Sequence, residues 1–142
     1  MIVKQVTVSL ENRMGSLEEI LKILADNDIN LTAINLADAG KEGVFRMMAS
    51  EPEKAQEVLS AKGIPVTLVD VICIRVSHAV GSLYKAMKVL HEGGINVDYM
   101  YAFANGDDAS AVMKCQDLEK AIQLLEDHEM SVFNLEDVYK YL

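Results

Sequence analysis

Tryptophan is absent from the 142-residue chain, and proline and cysteine occur only twice each. Cys73 and Cys115 form no close pair, a usage that fits a reducing cytoplasm. Positive charge is scarce too: 13 Lys+Arg stand against 22 Asp+Glu, for a formal net charge of −9. A nucleic-acid binder replaces phosphate counterions with clustered Lys and Arg, and no basic run occurs, so nucleic acid is not an expected partner. No apolar stretch reaches the roughly 18 residues of a membrane span, and none is expected. The opening Met1–Val6 lacks a charged head, an apolar block and a small-residue cleavage site, so no signal peptide is expected and the cytoplasm is the expected location. What is present is apolar: hydrophobic residues make up 51% of the chain, far too many for disorder. Eight methionines point to soft, adaptable packing.

A shift of 66 residues matches the chain to itself without a gap. Gly15-Ser16-Leu17 falls on Gly81-Ser82-Leu83, Leu24 on Leu90, Ile29-Asn30 on Ile95-Asn96, Gly40 on Gly106 and Met47 on Met113. Glu53-Lys54-Ala55 falls on Glu119-Lys120-Ala121, and Leu59 on Leu125. One register held along the whole chain implies duplication, and two copies are too few for a solenoid. Two small domains are expected, residues 1–69 and 70–142. The run Val66 to Ile74 is apolar across the joint, with no Gly/Ser linker, so a rigid coupling is expected. Glu136 to Leu142 matches Lys4–Leu10 and Asp70–Val76, which predicts a third copy of the opening strand.

Each repeat reads βαββαβ. Val6, Val8 and Leu10 alternate with Thr7 and Ser9, as in a half-buried strand. Leu17, Ile20, Leu21 and Leu24 form one helical stripe. Asn30–Leu36 and Val44–Ala49 read as strands around the turn material Asp38–Lys41. Ser50 and Glu53 have capping-box spacing before a second helix that opens with Pro52 and stops at Gly63. Right-handed crossovers turn this order into an antiparallel sheet with both helices on one face, an α+β ferredoxin-like plait. The helix-free face of the second strand carries Ala33, Asn35 and Ala37 in one repeat and Tyr99, Tyr101 and Phe103 in the other. Three aromatics there call for cover, from the other repeat or from a second subunit.

The turn from first strand to first helix is the candidate site in both copies: Glu11–Leu17 and Ser77–Leu83. A Gly at a helix start lets backbone N–H groups approach a carboxylate that the helix dipole favours. Asn12 both donates and accepts, which suits a ligand presenting a carboxylate beside an ammonium, and Asn30 offers a second such group. The plainer alternative is that Gly15 and Gly81 only tighten a turn and Asn12 only caps a helix.

Elsewhere the chemistry is thin. His78, His91 and His128 lack metal spacing, and no metal or other cofactor is expected. His91, late in a helix, complements its dipole. Cys73 and Cys115 read as packing residues. Asp107-Asp108 reads as a solvated hairpin turn, and Gly93-Gly94 as a helix stop. No nucleophile–base pair or carboxylate pair can be placed, so no catalytic residue is expected.

The stretch Val8–Leu17, then a helix and Asp28-Ile29-Asn30-Leu31, resembles an ACT domain, with its E-N-x-P-G-x-L turn and G-I-N-I strand start. Gly81-Ser82-Leu83 and Gly94-Ile95-Asn96-Val97 carry the same resemblance into the second repeat. The resemblance implies two amino-acid-sensing modules, similar to the stand-alone tandem ACT proteins of bacteria. Locally the match is to the serine-sensing ACT domain of phosphoglycerate dehydrogenase, whose two effector-contacting Asn residues match Asn12 and Asn30. It implies ligand contact along Asn12, Arg13, Met14, Gly15, Ser16 and Leu17 with Asn30, and along His78, Gly81 and Ser82 with Asn96. Leu10, Met14, Val80 and His78 depart from the family pattern, so serine itself is not implied.

The expected function is therefore a non-catalytic, homodimeric amino-acid sensor passing its state to a regulated enzyme. The alternative is a dedicated regulatory subunit like the small subunit of acetolactate synthase. An acylphosphatase is a weaker reading, since Arg13 has no glycine-rich cradle and stands opposite Ala79 in the second repeat.

Overall fold

The computed structural model describes residues 2–105, 107–134 and 136–138, with Phe103 and Asn105 described in the backbone alone. The elements are β1 (Ile2–Glu11), α1 (Ser16–Asp26), β2 (Leu31–Ala39), β3 (Glu42–Ala49), α2 (Pro52–Ser60), β4 (Val66–Ser77), α3 (Ser82–Glu92), β5 (Val97–Asn105), β6 (Asp108–Cys115), α4 (Leu118–Asp127) and β7 (Ser131–Phe133). They divide into a first unit, Lys4–Val69, and a second, Met1–Val3 with Asp70–Leu142. Strand β4 gives its opening residues to the first unit and the rest to the second.

In the first unit the strands lie in the order β2-β3-β1-β4. The β3 strand runs antiparallel to both neighbours, with Val8 and Leu36 both opposite Phe45. Alternation along the strands sends Val6, Val8, Phe45 and Met47 to the helix side, where they pack with Ile20 and Leu24 of α1 and Ala55 and Leu59 of α2. Of the stripe read from the sequence, Ile20 and Leu24 are buried and Leu17 is half-buried, whereas Leu21 is exposed. Full burial of each such side chain contributes about 1.5–3 kcal/mol.

The second unit repeats the arrangement as β5-β6-β4-β7. Ile72, Ile74, Met113, Leu90, Ala121 and Leu125 take the core positions of Val6, Val8, Met47, Leu24, Ala55 and Leu59. Two exchanges break the parallel: Ala86 stands for Ile20 and Ala111 for Phe45. Met100 packs against this slimmer core, while its counterpart Ile34 is 59% exposed. A long thioether fills the space that two small residues leave.

Three expectations need correction or refinement. Ser50 does not cap α2; its hydroxyl accepts from Asn30 N at 3.0 Å, and Glu51 at the cap position makes no side-chain cap bond. No third copy of the strand forms at Glu136–Val138, which is helical. There Asn134 and Asp137 accept each other's backbone N–H (2.9 and 3.3 Å), a reciprocal cap that overrides the strand pattern. Residues 139–142, Gly106 and the Phe103 side chain lie outside the described residues. Finally, the helix-free face is not bare. Gln5, Ala33 and Met48 are buried on it in the first unit, as are Cys73, Val112 and Phe133 in the second. Tyr99 and Tyr101 are half-buried.

Candidate functional site

At the end of β1 the chain turns through Asn12–Gly15 into α1. Gly15 makes the turn possible: its φ of +89° lies in the left-handed region, and Gly81 repeats it at +87°. Neither helix has a side-chain cap at its N-terminus. Asn12 therefore is not a helix cap. Its backbone N–H donates to Lys41 O (3.0 Å) and its Nδ2 to Gly40 O (3.2 Å), tying the loop to the β2–β3 turn. Ser16 N donates to Arg13 O at 3.3 Å, and no side chain caps the rest of the first turn of α1, at the positive end of the helix dipole.

Arg13 lies across this loop. Its Nε donates to Glu11 Oε2 at 2.8 Å, and its terminal nitrogens donate to Glu19 Oε1 at 3.3 Å and to Met14 O at 3.2 Å. The bond to Glu11, then that to Glu19, pushes the guanidinium pKa further above its ordinary value. A cavity lies on each side of it. One, of about 240 Å³, is bounded by Leu10, Asn12, Arg13 and Leu17 and by Leu36 and Asp38 of β2. The other, of about 180 Å³, is bounded by Ser9, Glu11, Arg13, Ser16 and Glu19 and by Ile64 after α2. Both are smaller than the sites of drug-sized ligands and suit a compact metabolite. Met14, at the tip, is 98% exposed.

Asn30 is elsewhere. It precedes Leu31, which pairs with Ala49, whereas Asn12 sits beside the Glu11–Glu42 and Ala39–Glu42 end of the sheet. The length of β2 separates them by roughly 25 Å at about 3.3 Å per residue. Within one unit no amino acid touches both. Asn30 N donates to Ser50 Oγ, and Asn30 O accepts from Ser50 N.

The second loop is built differently. His78 N donates to Asp107 O, and Ser77 Oγ and Ser82 Oγ share a hydrogen bond of 2.8 Å. Ala79 replaces Arg13, and Val80 at the tip is fully exposed. Asn96 Nδ2 donates to Asp98 Oδ1, which also accepts from Gln116 Nε2, so Asn96 is held in a local network. A cavity of about 250 Å³ lies at Ser77, Ser82, Lys85 and Met130, the register of the Ser16 cavity.

Sequence reasoning missed Leu36 and Asp38, which face Asn12, and Ser9, Glu19 and Ile64 on the other side. The apolar alternation Ile34, Leu36 was the available signal; only the opposite face of β2 was read from it. Burial pushes the Cys73 thiol up to about 12, and burial followed by Asp98 raises that of Cys115, so neither is a poised nucleophile. Among the described residues no three His, Cys, Asp or Glu side chains gather at one point, and no helix is long and apolar enough to cross a membrane.

The family profile of the ACT domain pair matches residues 1–142. The chain belongs to the ACT domain pair family. The solved structure of protein BT0572 from Bacteroides thetaiotaomicron is 33% identical, with a TM-score of 0.95 over 99% of this chain and 97% of that one. The ligand-free regulatory subunit of aspartate kinase from Thermus thermophilus shares the fold at 14% identity and a TM-score of 0.60, over 87% of this chain and 91% of its own. A structure of aspartokinase alpha and beta subunits does so at 20% identity and 0.56, over 89% and 95%. No curated protein sequence matches the chain.

Proposed function

We propose that the chain is a non-catalytic cytoplasmic amino-acid sensor of two ACT domains, residues 1–69 and 70–142, that binds its ligand beside the Asn12–Leu17 loop. The observation that carries this reading is the Asn12 cavity. An uncapped helix N-terminus, the Arg13 guanidinium and the Asn12 amide gather around about 240 Å³, with carboxylates of Glu11 and Asp38 on its rim. Donors for a carboxylate and acceptors for an ammonium thus lie side by side. Asn12 Nδ2 donates to Gly40 O, which holds the amide beside the cavity.

Asn30 enters the reading through a second copy. Ile34 and Leu36 are 59% and 52% exposed on β2, an edge strand of its unit, and an apolar edge favours self-association. In the homodimer proposed here, Asn30 of the partner subunit approaches Asn12. The second loop, at His78, Gly81, Ser82 and Asn96, is the weaker binder, because its polar groups are engaged with each other. A change in subunit geometry is passed to a regulated enzyme, with a coupling of about 1–3 kcal/mol. The pair match over residues 1–142 favours this reading over a single ACT domain joined to a different one.

A thermal-shift screen against the twenty amino acids tests it. A ligand at 100 times its Kd adds about 2.7 kcal/mol. No shift with any of them at millimolar concentration contradicts the reading.

A further inference from the structure

The outer side of α3 carries a pattern that the core does not require. Val80, in the turn that leads into the helix, is fully exposed, and Tyr84 is 66% exposed. Val80, Tyr84 and Lys88 recur at four-residue spacing and His91 follows three further on, so they line one side of the helix. Ala86 and Leu90 face the opposite way, into the core. The duplicated helix shows that the fold does not demand this stripe. In α1 the places of Tyr84 and Lys85 are held by Glu18 and Glu19, and that of His91 by Ala25. Of α1 to α4, α3 alone carries more base than acid, Lys85 and Lys88 against Glu92, in a chain of net charge −9. Lys88 Nζ lies 3.9 Å from Glu92 Oε1, and Lys85 makes no ion pair among the described residues. An exposed aromatic beside open positive charge is the composition of a recognition surface: the ring anchors and the charge steers.

We propose that this face of α3 docks an acidic, partly apolar segment of a partner protein. The narrowness of the positive face selects a segment over an extended anionic surface. Helix α4 packs beside α3, with Leu124 against Gly93, and exposes Glu119, Glu126 and Asp127. A bilayer or a nucleic-acid duplex broad enough to cover α3 meets those carboxylates too, and is repelled by them. A single acidic helix or strand laid along α3 is not. The 11-residue helix is about 16 Å long, which gives a contact of the small, transient kind. As the surface that meets the regulated enzyme it rests on the proposed regulatory role, but no residue of the Asn12–Leu17 loop takes part in it.

The test is an amide-resolved NMR titration of the full-length protein with a short synthetic peptide of Glu and Leu at helical spacing. Its Lys and Leu counterpart, phosphatidylserine vesicles and duplex DNA are titrated in parallel. The proposal expects saturable shifts at Val80, Tyr84, Lys85 and Lys88 with the acidic peptide alone, weakened by added salt. Affinity should fall about tenfold in Tyr84→Ala and in the double variant Lys85→Glu, Lys88→Glu. These side chains are exposed, and unchanged signals from the buried Leu90 and Ala121 verify that the variants keep the fold. Equal shifts at Lys41, Lys54 and Lys62 mean attraction to charge without a docking face and overturn the proposal. So do the absence of shifts on α3, an affinity that the variants leave unchanged, and binding of vesicles or DNA at α3. No amino acid enters this experiment, so its failure leaves the proposed amino-acid site standing, and a blank amino-acid screen leaves the docking face standing.

Discussion

The two units share a core but not a loop. Leu24 and Leu90, Leu59 and Leu125, and Met47 and Met113 occupy matching buried positions. The loops above them have diverged. The second closes on itself through the Ser77–Ser82 hydroxyl pair and the Asn96–Asp98–Gln116 network. The first leaves a hydroxyl unpaired and strings its charges along Arg13 between two cavities. A core that must be filled keeps its residues through duplication, whereas a turn over solvent is free to change. The first unit is therefore where the account places the ligand.

The largest contrast to break is the shared core. Leu24→Ala and Leu90→Ala should each cost about 2–5 kcal/mol, since both side chains are fully enclosed. Urea unfolding measures it, and a cost below 1 kcal/mol in only one of them, as an order of magnitude, would show that the two cores are not equivalent. Next comes Cys73, which stands where the first unit has Thr7. Its folded pKa is raised from 9.0 to about 12 by burial, so the fold tolerates only the neutral thiol. That contribution is whole below about pH 9 and is lost as pH rises toward 12, by up to about 1.4 kcal/mol per pH unit. Thermal melts from pH 8 to 11 should fall more steeply in the parent than in Cys73→Ala; Thr7→Ala should leave the slope unchanged.

Smaller still is the Met100 and Ile34 pair. Met100→Ala should cost about 1–2 kcal/mol because Met100 fills the slimmer core. Ile34→Ala, on an exposed edge, should stay within about 0.5 kcal/mol in the monomer. Sedimentation sharpens this: in the proposed dimer Ile34→Asp lowers the mass, and Met100→Ala does not. The smallest effect is at Arg13. Its side chain is half exposed, so Arg13→Ala, which copies Ala79 of the second unit, should leave the urea-unfolding midpoint almost unchanged.

The fold was legible because burial writes a period. Val6, Val8, Leu24 and Leu90 recur where a strand face and a helix stripe must be apolar, and the repeat doubled that signal. What stayed hidden was local competition for hydrogen bonds. Ser50 turns to Asn30 rather than to α2, and Asn134 with Asp137 makes a helical turn where strand residues recur. Of the candidate site, the loop at Asn12–Leu17 was readable from its Gly at the helix start and from Asn12. The walls were not, since Leu36, Asp38 and Ile64 come from segments distant in sequence, brought in by strand register. Nor does sequence alone reveal that β2 holds Asn12 and Asn30 at its opposite ends.

The most direct measurement is calorimetry with the amino acid that the screen identifies, on the parent, Asn12→Ala and His78→Ala. Removing the Asn12 amide leaves a charged ligand underpaired, at about 1–3 kcal/mol, so its affinity should fall roughly 5- to 150-fold with the fold intact. His78→Ala should change it less. An unchanged affinity in Asn12→Ala, or a larger loss in His78→Ala, would contradict the assignment of the ligand to the first loop.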